Sequence, residues 1–207
     1  MYKLCKTEQS AARQRQLEIG LLEAMSSHHY EEISVSDLCD QMQVPRKSFY
    51  RYFSGKDGAL HALIDHTLLE YEGEPFHSSN RDGRTRLQLE SFFLFWQQHK
   101  ALLDALQRSG LSGVLIERAI THSVNDASIC SNFSSRQEKI EMEHATMFAV
   151  CGLMSMMLQW HHDNYPMTTR EMAAIAVRIL TQHCIRKCDN RELRFAREKS
   201  VYKKRRF

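Results

Sequence analysis

Proline and glycine are scarce, with 3 and 8 in 207 residues, so few points along the chain force a break in regular structure. No β-branched alternating run of useful length occurs, which argues against a sheet. Long apolar runs are missing as well. The strongest, ATMFAVCGLMSMMLQW at residues 145–160, is shorter than the roughly 20 residues needed to cross a bilayer, and Ser155 and Gln159 interrupt it. A membrane partner is therefore not expected. The six cysteines lack the paired short spacing of secreted scaffolds, and no charged, apolar and small-residue leader opens at Met1, which together point to a reducing cytoplasm. There is no G-x-S-x-G, no phosphate-binding glycine loop, no H-E-x-x-H and no carboxylate pair standing out at helical spacing, so an enzyme is not expected. Nor is a cofactor or metal: His28 and His29 are adjacent at a helix end and diverge, His161, His162 and Asp163 are consecutive where a helix ends and cannot all converge on one ion without a shaped loop, and Cys184 with Cys188 supplies too few ligands without help from elsewhere.

What is present, 43% hydrophobic and 26% charged residues, describes an all-α chain that can bury a substantial core as one larger unit or two modules. The net charge of +3 is unevenly spread. Residues 186–207 hold ten Lys or Arg and three acids, net +7, leaving a mildly acidic body at −4. Such a tail fits either non-specific, salt-sensitive contact with nucleic acid or a plain solvated terminus.

The most informative stretch is Ser34 to Phe53, SVSDLCDQMQVPRKSFYRYF. Val35, Leu38 and Met42 are spaced to share one helix face, with Ser34 as the N-cap. A break at Gln41 to Val44 leads into a second short helix opening at Pro45, where a missing N–H costs nothing. Phe49, Tyr52 and Phe53 supply its inward face, and Arg46, Lys47, Ser48 and Arg51 point the other way. This is the division of labour of a helix-turn-helix, whose second helix enters the major groove of double-stranded DNA. Arg46 and Lys47 have the donors for guanine O6 and N7, Ser48 suits a base edge or a phosphate, and Tyr50 and Tyr52 can offer hydroxyls to the backbone. Charge alone fits a solvated basic turn between two core helices equally well.

The string from Tyr30 to Leu60, Y-x-x-I-S-V-S-D-L-C-x-x-M-Q-V-P-x-x-S-F-Y-R-Y-F-x-x-K-D-x-x-L, resembles the DNA-binding region of the tetracycline-repressor (TetR) family of transcriptional regulators. The resemblance implies base contacts from Arg46 and Lys47, and phosphate contacts from Ser34, Ser36, Ser48, Tyr50, Tyr52 and Lys56. Three positions depart from the family pattern: Gln43 stands at the turn glycine, Pro45 at a small hydroxyl residue, and His29 at the glycine after the first helix. A residue other than glycine at positive φ costs something, so a differently built turn is expected.

Around this stretch, a helix from about Thr7 to Ser26 carries Leu17, Gly20, Leu21, Ala24 and Met25 on a supporting stripe. The first six residues, with Lys3 and Lys6, read as a frayed arm, which the family resemblance allows to touch the minor groove or the DNA backbone. Ser54 and Asp57 read as a capping box opening a linking helix with Leu60, Leu63, Ile64, Thr67, Leu68 and Tyr71. Residues 72–83 mark a boundary. The expected division is a helix-turn-helix domain at 1–72, a helical dimerisation and ligand-binding domain at 73–185 and the basic tail at 186–207. In the second domain, Leu87, Leu89, Phe92, Phe93, Phe95 and Trp96 continue the helical pattern. Its aromatic cluster fits a ligand pocket or ordinary core, and Phe92, Trp96, His99, Met147 and Cys151 are the candidate ligand-binding residues. The helix at 145–160 is apolar on every side and must be buried around most of its circumference, which its own module on one face and a second subunit on the other can provide. Thr168 and Glu171 cap a final helix with Met172, Ile175, Ala176, Ile179 and Leu180. F-F-x-F-W-x-x-H-K-x-L-L-D-A-L and the later G-L-M-S-M-M-L-Q-W…M-T-T-R-E-M-A resemble the C-terminal region of a TetR subgroup that includes dihydroxyacetone-kinase operon regulators. The expectation is a homodimeric DNA-binding regulator, usually a repressor, acting on a palindromic operator under a small-molecule effector. The alternative is a DNA-independent co-regulator or protein-interaction module of the same fold.

Overall fold

The computed structural model describes residues 1–71, 83–125 and 135–180. Their regular structure consists of helices: α1 (Glu8–Ser27), a single 3-10 turn (Tyr30–Glu32), α2 (Val35–Gln41), α3 (Arg46–Tyr52), α4 (Lys56–Glu70), α5 (Gly83–Gln98), α6 (Lys100–Arg108), α7 (Ser112–Val124), α8 (Arg136–His162) and α9 (Thr169–Arg178). The basic tail, the boundary segment from residue 72 to 82 and the Cys184/Cys188 pair lie outside the described residues.

Residues up to 71 together with 95–125 and 135–166 form one compact unit, and residues 83–94 with 167–180 belong to a second. In the first unit, Thr7 caps α1 by accepting from the Ser10 N–H, and the stripe Leu17, Gly20, Leu21, Ala24 and Met25 is buried as the spacing requires. Helix α1 packs on α4 and α6, α4 on α7, and α7 on α8. His28 and His29 are both in extended backbone, so the absence of glycine after α1 creates no strain.

Polar joints tie α1 to α4 onto the following helices. The Arg108 guanidinium donates to the carbonyls of Met25 and Ser26, which lie in the last turn of α1, where carbonyls have no intrahelical partner and a cation is favoured. The Ser109 hydroxyl accepts from the Tyr30 N–H at 3.1 Å. Deeper in, Asp65 of α4 is 3% exposed. It accepts from the Tyr2 hydroxyl at 2.7 Å and from Arg118 Nε of α7 at 2.7 Å, with a second bond from the same guanidinium.

The first residues are not frayed, which corrects the expectation for the arm. Tyr2 forms an isolated antiparallel bridge with Phe53, the Lys3 N–H donates to the Tyr52 carbonyl at 2.9 Å, and the Ser54 N–H donates to the Met1 carbonyl at 3.0 Å. Burial and the bond to Asp65 push the Tyr2 phenol up to about 12. Gly58 makes room for this arm, because a Cβ there would lie 2.4 Å from the Met1 carbonyl oxygen. The arm also takes Ser54 away from capping: its hydroxyl bonds the Met1 carbonyl, and Gly55 is the N-cap of α4 instead.

Helix α8 starts from a Ser135 cap and is longer than the apolar run suggested. Within this chain its burial is one-sided. Leu153, Met154, Met157 and Trp160 are covered, whereas Phe148 is 66% exposed. At its end, the Tyr165 N–H donates to the Trp160 carbonyl and the Asn164 N–H to that of His161, with φ near +57° at both residues. This is the paired-bond closure of a helix C-terminus, and the Tyr165 ring seals it against Trp160. His161 is buried between Asp104 at 3.2 Å and the Tyr165 hydroxyl at 2.8 Å. Burial lowers its pKa, which suits a neutral ring linking α6 to α8.

In the second unit, the expected capping box is present: Thr168 Oγ1 accepts from the Glu171 N–H, and the Glu171 carboxylate accepts from the Thr168 N–H. Leu89, Phe92 and Phe93 are buried, but Leu87 is 66% exposed, since two residues of helix rotate a side chain by about 200°. Ile179, expected on the inward stripe of α9, is exposed just past that helix's end.

Candidate nucleic-acid interface

Helices α2 and α3 are joined by a turn whose closure repeats the pattern at the end of α8. The Val44 N–H donates to the Cys39 carbonyl at 2.9 Å and the Gln43 N–H to that of Asp40 at 3.1 Å. Cys39 and Val44 are buried, completing the apolar contact that accompanies such a closure. It demands a left-handed residue between them, and Gln43 adopts φ +53°. The turn is thus formed despite the missing glycine. Gln43→Gly is expected to raise stability by about 1 kcal/mol in denaturant titration, because glycine bears no Cβ penalty there. An unchanged or lower midpoint would show that the strain is absent.

Ser34 caps α2 by accepting from the Asp37 N–H at 3.1 Å, and its hydroxyl donates to the Asp37 carboxylate at 2.5 Å. Pro45 is the N-cap of α3, one position earlier than its expected place as the first helical residue. Seen down α3, Phe49, Tyr52 and the following Phe53 are buried. Phe49 and Phe53 rings lie 5.1 Å apart. Arg46, Lys47, Tyr50 and Arg51 are exposed on the remaining arc. A rigid inner face therefore holds an outer face with three cations and a phenol.

The other expected contact residues are placed less uniformly. Ser36 and Ser48 are half-buried. Tyr52 is 7% exposed. Lys56 donates to the Tyr30 carbonyl, and its ammonium sits 4.2 Å from the centre of the Tyr30 ring. Burial raises the Cys39 thiol, keeping it protonated beside this face.

One basic residue escaped the sequence reading. Arg13 of α1 and Arg51 of α3 border an open groove of about 560 Å³, which Thr7, Ser10, Gln16 and Tyr52 also line. Its only signal in the sequence was a helical spacing of polar residues on the N-terminal half of α1, opposite the apolar stripe.

Of the candidate ligand-binding residues, Phe92 and Trp96 are buried. His99 stacks 4.2 Å from Phe95 and lies 6.3 Å from Trp96. Met147 is 40% exposed on α8, and Cys151 there is a half-buried free thiol. Among the described residues, no helix is long and apolar enough to cross a membrane, and no group of three or more His, Cys, Asp or Glu has a metal-holding arrangement.

No protein-family model matches the chain, and no curated protein matches it. Solved structures do. The dihydroxyacetone kinase operon activator DhaS is 14% identical with a TM-score of 0.51, over 81% of this chain and 93% of that one. A TetR-family transcriptional regulator from Streptomyces coelicolor is 19% identical, with a TM-score of 0.49, over 81% and 78% of the two chains. The fatty acid degradation regulator FadR from Bacillus halodurans is 12% identical, with a TM-score of 0.47, over 86% and 96%. At such identities the likeness is one of fold. The chain shares the all-α fold of DhaS.

Proposed function

We propose that this protein is a cytoplasmic, sequence-specific DNA-binding transcriptional regulator, a repressor, that acts as a homodimer on a palindromic operator and is not an enzyme. The observation that carries the reading is the outer face of α3, where Arg46, Lys47 and Tyr50 are exposed over a buried Phe49, Tyr52 and Phe53. A short helix presenting fork-shaped and point donors on a fixed base suits base edges in a major groove. Residues 1–72 serve as the DNA-binding part, and residues 73–185 as the dimerising and effector-binding part. Ser34, Ser36, Ser48, Tyr50, Tyr52 and Lys56 are assigned to phosphates. Lys56 has to exchange its Tyr30 carbonyl for that role. Effector binding is assigned to Phe92, Trp96, His99, Met147 and Cys151, of which Trp96 and His99 are neighbours one helical turn apart.

The co-regulator alternative drew its support from the missing turn glycine. Since Gln43 takes up the left-handed conformation and α3 forms, that support is gone. Selection of bound sequences from a random DNA pool tests binding, symmetry and spacing together. The expected result is a palindrome with half-sites about one helical turn, about 34 Å, apart or a related distance. Arg46→Ala should weaken binding to the selected site by about 1–3 kcal/mol in fluorescence anisotropy and relax the preference at one position per half-site. A pool that yields no enriched sequence, or a variant that loses affinity evenly across all sequences, would count against the assignment.

A further inference from the structure

The groove between α1 and α3 is unlike a site for a small organic effector, which is mostly apolar with a few polar groups. All but Ala12 of its lining residues carry a polar group, among them two guanidinium groups, Arg13 and Arg51, and no carboxylate. Arg13 makes one bond, to Gln16 Oε1 at 3.0 Å, and both arginines are exposed. The first segment of the chain carries two more exposed cations whose backbone adjoins lining residues. Lys3 is anchored by its N–H to the carbonyl of Tyr52, and Lys6 precedes Thr7. Arg51 also belongs to the outer arc of α3, so the groove adjoins the cationic face, with the exposed Glu8 as the acid next to its lining residues Thr7 and Gln9.

We propose that this groove is a second phosphate grip, formed by Arg13 and Arg51, that holds DNA backbone flanking the bases faced by α3. The inference rests on the DNA-binding reading above and extends the contact surface from α2 and α3 to α1, which the sequence marked only as support. Phosphate contacts position a protein without reading sequence, and each releases counterions.

The test is the slope of log K against log salt concentration for the full chain on its selected DNA, wild type beside the double variant Arg13→Ala, Arg51→Ala. The slope should become shallower by about 3.6, two phosphate contacts in each protomer of the dimer at about 0.9 apiece. The rank order of sequences should stay unchanged, and phosphate-ethylation interference should vanish at positions outside the half-site core. The pair Arg13→Lys, Arg51→Lys should restore most of the slope. Because both side chains are exposed, the thermal midpoint should not move. If wild type binds with selectivity, Arg46→Ala weakens it and the double variant keeps the full slope, the grip is refuted and the DNA reading stands. If the double variant reorders sequence preference, the groove reads bases and the proposal is equally overturned. If wild type enriches no sequence from the pool, both readings fall together.

Discussion

Arg118→Ala is expected to lower the unfolding free energy by about 3 kcal/mol, the lower end of the range for stranding one partner of a buried ion pair. Asp65 is the reason. Its side chain is 4% exposed, and the guanidinium that faces it is 28% exposed. Removing the cation leaves a carboxylate inside α4 that still accepts from the Tyr2 hydroxyl but has no cation bonded to it. Asp65→Asn should cost less, because Arg118 can turn its charge towards water while the amide keeps the shape of the site. The asymmetry is the diagnostic feature, and chemical denaturation of both variants at neutral pH reads it. Equal losses, or a loss below about 1 kcal/mol for Arg118→Ala, the size of an exposed pair, would mean that the pair behaves as a surface contact. The consequence goes beyond stability. Asp65 joins three segments, namely the arm that pairs with Phe53 at the end of α3, the linking helix α4, and α7 behind it. Loosening this joint should also loosen the base on which α3 stands.

The second large effect concerns α8. Phe148→Glu is expected to convert a dimer to a monomer in sedimentation velocity and to weaken binding to a palindromic site about 100-fold or more, since one linked half-site contact is lost. Phe148 is 66% exposed, and Ile140, Met142 and Met147 are also among the exposed large apolar residues. Ala145, Phe148, Gly152 and Ser155 follow spacings of three and four and share one uncovered face. A phenylalanine so placed gains about 1.5–3 kcal/mol on burial, and two-fold symmetry counts it twice. The side chain is uncovered in the single chain, so the charge should leave the fold intact, and circular dichroism should show unchanged helix content. Affinity for an isolated half-site should also be kept. A wild-type chain that sediments as a monomer, or a variant that remains dimeric, would rule out this face as the interface.

Much of the helix-turn-helix was legible because its determinants are local. The spacing of Val35, Leu38 and Met42, the Ser34 cap and the Phe49, Tyr52 and Phe53 face each act within a turn or two of helix. The capping box at Thr168 was legible for the same reason, and it formed as read. The Ser54 box had the same pattern and did not form. Its hydroxyl met Met1, a partner 53 residues away, and no local rule carries that information. His161 was similarly opaque. Read beside His162 and Asp163 it was a metal-type residue in a turn, whereas the fold places it between Asp104 and Tyr165. Arg13 looked like one polar residue among several on the outer face of α1, until α3 supplied Arg51 across the groove.

By itself, then, the sequence determined that the chain is helical, where the caps at Ser34 and Thr168 lie and which face of α1 and of α3 is apolar, since these follow from the 3.6-residue period and from backbone sterics. Only the tertiary structure decided that Gln43 would accept a left-handed backbone, that the first residues would be pinned rather than loose, and that Asp65, Tyr2 and Arg118 would meet. The physical reason is distance along the chain. Packing a helical core brings together groups that are tens of residues apart, and the burial of a charge is known only once its neighbours have closed around it.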